Sequence, residues 1–73
     1  MTAPRDNLEL AASARELADA EPAGTLTHAA AASVAITFAT TRTVDDARSA
    51  LDGITPDEVR QAALEIFERL AGS

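Results

Sequence analysis

The sequence predicts an all-α fold, a small four-helix bundle-like domain with a central alanine-rich helix and a C-terminal helical hairpin. Three observations carry that expectation. A side chain able to cap a helix N-terminus stands before each of four segments (Asp6, Thr25, Thr43 and Thr55), and behind three of them an acidic residue follows at the third position. Apolar residues in the first, third and fourth segments recur at intervals of three and four. Finally, no two stretches read as strands that could pair with one another within the chain.

Met1 to Arg5 read as a flexible tail. Asp6, with Glu9 three positions on, has the form of a capping box. Leu10, Ala14, Leu17 and Ala18 then fall on one helical face, with Glu9, Glu16 and Asp19 opposite. "EPAG", Glu21 to Gly24, ends this helix, because proline cannot continue it and disfavours helix in the residue before it.

Thr25 can cap the second helix. Its C-terminal half, "SVAITFATTRT", is rich in β-branched residues and has the composition of a strand. As a strand it would have to pair with another copy of the chain. As a helix it continues the alanine run before it, and no glycine or proline separates the two between Leu26 and Arg42. Helix is therefore expected. Ala31, Ala35 and Ala39 form a small-residue stripe, Val34 and Phe38 flank it, and Ile36 lies across the helix. Apolar groups all round describe a central, buried helix. Thr37, Thr40 and Thr41 can return their hydroxyls to carbonyls one turn back.

Thr43 and Asp46 start a short third helix, Val44 to Asp52, with Val44, Ala47 and Leu51 on one face. Gly53 suits the left-handed position past its end, with Ile54 making the hydrophobic contact that follows. "TPDE" then predicts the fourth start: Thr55 as cap, Pro56 as first helical residue, Glu58 closing the box. Removing the Thr55 hydroxyl is expected to cost about 1 kcal/mol. From there to Ala71, Val59, Ala62, Ala63, Ile66, Phe67 and Leu70 share a face, and Glu58, Gln61, Glu65 and Glu68 lie opposite. Leu64 and Ala71 widen that apolar arc.

A chain of 73 residues holds at most one domain. Its hydrophobic fraction is 47%, but alanine supplies more than half of it, so the core is small. Disulfides are excluded because there is no cysteine, and one histidine, His28, makes a structural zinc site untenable. Oligomerisation is the staple that remains. A homodimer is expected, with Ile36, Phe38, Leu64, Phe67 and Leu70 building its interface and core.

Twelve carboxylates face six arginines, with no lysine, for a net charge of −6. That balance repels phosphate backbones and anionic membranes. No leader and no membrane span are read, so a cytoplasmic protein is expected. No cofactor, metal ligand set or catalytic residue emerges, and no enzyme activity is expected. His28 has no nucleophile beside it, and the adjacent Asp45 and Asp46 point about 100° apart on a helix. "DGITPDE" fails as a calcium loop, because Arg48, Ala50 and Val59 would occupy ligand positions.

Two functions remain. The leading one is a small acidic protein–protein interaction module, acting as a regulatory, adaptor or accessory subunit and binding itself or another protein. The other is a helix-turn-helix DNA-binding regulator, because "ARSALDGITPDEVRQAA" joins two helices through a glycine-containing turn. Arg60 and Gln61 would then read bases. Asp57 and Glu58 at the entering end, with no lysine to meet phosphate, make nucleic acid the weaker reading.

Overall fold

A computed structural model describes residues 6–72; the expected tail, Met1 to Arg5, lies outside them. Four helices follow in order: α1 (Asn7–Ala20), α2 (Leu26–Thr40), α3 (Val44–Leu51) and α4 (Asp57–Ala71). There is no strand among the described residues. "SVAITFATTRT" is helical as far as Thr40, and Thr41 turns to extended backbone at the C-cap. The Thr40 hydroxyl donates to the Ile36 carbonyl at 2.9 Å and that of Thr41 to the Thr37 carbonyl at 2.7 Å. These β-branched residues thus satisfy the end of the helix instead of leaving it for a sheet.

Three of the four caps form as read. The Glu9 amide donates to Asp6 Oδ1 at 2.9 Å, the His28 amide to Thr25 Oγ1 at 3.2 Å, and the Asp46 amide to Thr43 Oγ1 at 3.0 Å. Each uses one of the donors a helix start leaves without an intrahelical partner.

The fourth differs. Pro56 is the N-cap, not the first helical residue, because its ψ of 169° is extended. Its carbonyl accepts from the amides of Val59 and Arg60, and no side chain caps the helix. Thr55 therefore stands one residue too early to reach the first turn, and the box with Glu58 does not close. Gly53 also departs from expectation. The left-handed glycine among the described residues is Gly24, with φ 89°, in the α1–α2 loop. The chain leaves α3 through a tightened turn instead: Gly53 donates to Ala50 and Ile54 to Leu51, each three residues back.

α2 is the hub. It packs along α1, against α4, and to a lesser extent against α3. Its buried face is Ala30, Ala31, Val34, Ala35 and Phe38. Phe38 and Phe67 of α4 stack in the interior, with ring centroids 5.3 Å apart and planes 12° from parallel. Leu10, Leu51 and Ile66 close the core around them. Seven of the thirteen core side chains are alanine, so α1, α2 and α4 meet over little side-chain bulk.

Both ends of the α1–α2 pair are tied by polar bonds. At one end the Asn7 side-chain amide donates to the Thr41 carbonyl, the Thr41 hydroxyl and the Thr43 carbonyl, each at 3.0 Å. At the other end His28 Nδ1 lies 2.7 Å from the Ala18 carbonyl. The start of α1 therefore sits beside the end of α2, and the end of α1 beside the start of α2. The two helices run antiparallel over their whole length.

Candidate functional site

The apolar residues expected at an interface divide into two groups. Phe38 and Phe67 are interior to the single chain, at 0% and 1% exposure. They stack on each other and support a contact face only from beneath. Leu64 and Leu70 are half-buried and pack against the core, as do Ile54 and Ala71. The wide arc of α4 is thus largely taken up by the domain itself. Ile36 is different: it is 63% exposed. α2 is central but not enclosed, because its far side faces solvent.

Ile36 has company there. It borders a groove of about 310 Å³ between α1 and α2, with Ala11, Ala12 and Arg15 on one wall and Ala35, Ala39 and Thr40 on the other. A second hollow, lined by Ala18, Asp19, His28 and Ala32, continues past Arg15 and Ile36 along the same seam. Leu8 is 71% exposed. It stands three and four residues before Ala11 and Ala12, so it shares their helix face. Leu8 and Ile36 are the two most exposed large apolar side chains among the described residues.

The electrostatics of this face set it apart. α2 carries no acidic or basic residue other than His28 over its whole length. On α1, Arg15 lies in the groove and forms no ion pair among the described residues, and Glu9 and Glu16 stand to the side, about 100° round the helix from Leu8 and Arg15. Asp19, beside His28 in the second hollow, is the carboxylate that lines the seam.

The residues singled out for DNA reading lie elsewhere and are engaged. Asp57 Oδ1 accepts from the Arg60 guanidinium and forms an ion pair with it, while Asp57 Oδ2 accepts from Gln61 Nε2 at 2.8 Å. Between α3 and α4, Arg48 lies over the Phe67 ring, 5.5 Å from its centroid, and pairs with Glu68. Among the described residues no three His, Cys, Asp or Glu side chains gather where they could hold a metal, and no helix is long and apolar enough to cross a membrane.

Asn7 and Leu8 were not singled out in the sequence. For Asn7 a signal exists: it extends the buried stripe Leu10, Ala14, Ala18 back by three positions. A polar residue in register with a core face calls for a partner. For Leu8 the signal is its position outside the buried stripe, on the face it shares with Ala11 and Ala12. Comparison with protein-family models, with curated proteins and with solved structures finds no match for this chain.

Proposed function

We propose that this chain is a small acidic protein–protein interaction module whose contact face is the α1–α2 groove, not the apolar arc of α4. One observation carries the reading: Ile36, 63% exposed, borders a groove lined by four alanines with Arg15 and Thr40, and Leu8, 71% exposed, shares the helix face of Ala11 and Ala12. Water gains most when such residues are covered, at about 25 cal/mol per Å² of apolar surface. Contiguous exposed apolar surface of this kind marks partner sites. The engagement of Arg60 and Gln61 by Asp57 favours protein over DNA as the partner, since both candidate base readers already have an acceptor.

Photo-crosslinking in the source cell tests the location of the face. Benzoylphenylalanine replaces Ile36 in one variant and Glu65, on the acidic side of α4, in another. Covalent adducts from position 36 and none from position 65 are expected. Adducts from 65 alone would move the contact to the acidic side, and none from either would remove the interaction reading.

A further inference from the structure

We infer that the occupant of the α1–α2 groove is a net-basic amphipathic α-helix of another protein, with its apolar stripe on the groove and one acidic residue of that stripe against Arg15. The inference rests on the reading of that groove as the contact face. Charge, hydrogen bonding and width each narrow what can lie there.

Charge decides between another protein and a second copy. The floor is apolar, with Ala11, Ala12, Ala35, Ile36 and Ala39 along it. Carboxylates edge it on the α1 side: Asp19 lines the second hollow, and Glu16 follows Arg15, about 100° further round the helix. The α2 side has none from Leu26 to Thr40. An apolar floor with an acidic edge is complementary to an amphipathic helix with a basic flank. No helix of this chain fits that description. α1 carries three carboxylates and one arginine, α3 two and one, α4 four and two, and α2 neither kind. A second copy would bring to that edge either more acid or no charge, so the basic helix belongs to a different chain.

Two side chains refine its sequence. Arg15 lines both hollows and forms no ion pair among the described residues. Covering its guanidinium with apolar groups alone would remove its water without replacing those bonds. One carboxylate in the incoming stripe, facing Arg15, replaces them. At the His28 end the requirement is opposite. His28 Nδ1 lies 2.7 Å from the Ala18 carbonyl, which can only accept, so Nδ1 carries the proton and Nε2 of the neutral ring is an acceptor. With the Asp19 carboxylate in the same hollow, this end calls for a lysine or arginine. Arg15 and Asp19 are one helical turn apart, about 6 Å, so the incoming acid and base are one turn apart as well.

Hydrogen bonding and width select a helix, and one helix. An extended segment would lay its N–H and C=O groups on alanine methyls, which offer them no partner, whereas a helix satisfies its own. Packed helix axes lie about 8–10 Å apart, and a helix with side chains is about 10–12 Å across, so a single helix seated astride the seam fills it. With α1 and α2 of 14 and 15 residues, the seam is about 20 Å long.

Titration of the intact, isotope-labelled chain with synthetic peptides, followed by NMR shifts, tests the inference. The probe is an alanine–leucine helix of about 15 residues with lysines along one flank, one glutamate in the apolar stripe and an arginine one turn beyond it. One control has glutamates in place of the lysines; the other has leucine in place of the stripe glutamate. Shifts at Ala11, Ala12, Ile36 and Ala39 are expected, with the probe binding at least about tenfold more tightly than either control. Glu16→Gln with Asp19→Asn should weaken the probe several-fold, and Arg15→Ala should erase its advantage over the leucine control. These side chains are exposed, so the variants should keep their helical circular dichroism. Glu65→Gln on α4 should change nothing. Equal binding of the acidic control, shifts centred on α4, or an Arg15→Ala chain that still prefers the glutamate would overturn the inference. Sequencing the segment crosslinked to position 36 separates this inference from the reading beneath it. A basic helical segment with an acid and a base one turn apart is expected. An adduct with a second copy, or with an acidic segment, would overturn the inference and leave the groove as a contact face, whereas no adduct from position 36 would remove both.

Discussion

The two halves of the molecule are built alike and dispose of their apolar surface differently. Each joins two helices by five residues, 21–25 in one and 52–56 in the other. In the second half, α4 is amphipathic, and its apolar face is taken up by the core: Ala63, Ile66 and Phe67 are buried and Leu64, Leu70 and Ala71 pack against them. In the first half, α2 is apolar around most of its circumference, but only one side of it meets other helices. Ile36 is left over, and Leu8 of α1 with it. A wide apolar arc on a helix is therefore a poor sign of a partner when neighbouring elements can wrap it. A helix without a polar side, in a domain too small to surround it, is the better one.

The largest effect expected from this contrast lies within α2 itself, between two residues two positions apart. Phe38→Ala removes one ring of the interior stack and leaves a cavity, at a cost of about 3–5 kcal/mol. A core of this size supplies about as much in total, so the variant should be mostly unfolded at room temperature. Ile36→Ala should change stability by no more than about 0.5 kcal/mol. Urea melts followed by circular dichroism separate the two. Comparable losses at both positions would mean that α2 is enclosed on all sides and that the groove does not exist in solution.

How far the sequence could be read follows the same division between local and distant causes. The helices were legible because their caps and breakers act over a few residues: Asp6, Thr25 and Thr43 each reach an amide three positions on. The helical state of "SVAITFATTRT" was legible because nothing interrupts it and no second stretch of the sequence reads as a strand that could pair with it. Which apolar residues remain outside was not, since spacing on α4 cannot show that the rest of the chain covers Leu64 and Leu70. Asn7 was missed for the same reason. Its partners are 34 and 36 residues away, and only the folded chain brings them together.

Asn7 provides the intermediate effect. The residue is 7% exposed, and its side-chain amide donates to three oxygens at the α2–α3 junction. Asn7→Ala removes all three bonds and should cost about 1–3 kcal/mol, the usual penalty for leaving buried acceptors without a donor. Asn7→Asp has the same size but offers no donor when ionised, so it should cost at least as much. Among the described residues the α3–α4 half shows a cross-helix ion pair, Arg48 with Glu68, whose side chains are 57% and 59% exposed, and such pairs contribute little. If Asn7→Ala melts at the wild-type urea concentration, the antiparallel alignment of α1 and α2 is held by apolar packing alone.

The smallest effect distinguishes the helix starts. Thr25 and Thr43 have the same role: each hydroxyl oxygen accepts from an amide in the first turn of the helix that follows. Replacing either with alanine leaves that amide to water and should cost about 1 kcal/mol. Thr55 stands before a proline, as part of a motif that in sequence is the clearest of the four starts, yet it caps nothing. Pro56 is extended, its carbonyl takes the amides of Val59 and Arg60, and the helix begins at Asp57 without a side-chain cap. Asp57 and Glu58 still lie at the positive end of the helix dipole, and that interaction does not involve Thr55. Thr55→Ala should therefore shift stability by no more than about 0.5 kcal/mol, the range of exposed positions away from any cap. Urea melts of the three alanine variants test the ordering directly. A loss of about 1 kcal/mol at Thr55, equal to that at Thr25, would mean that α4 starts one residue earlier in solution, with Pro56 inside its first turn.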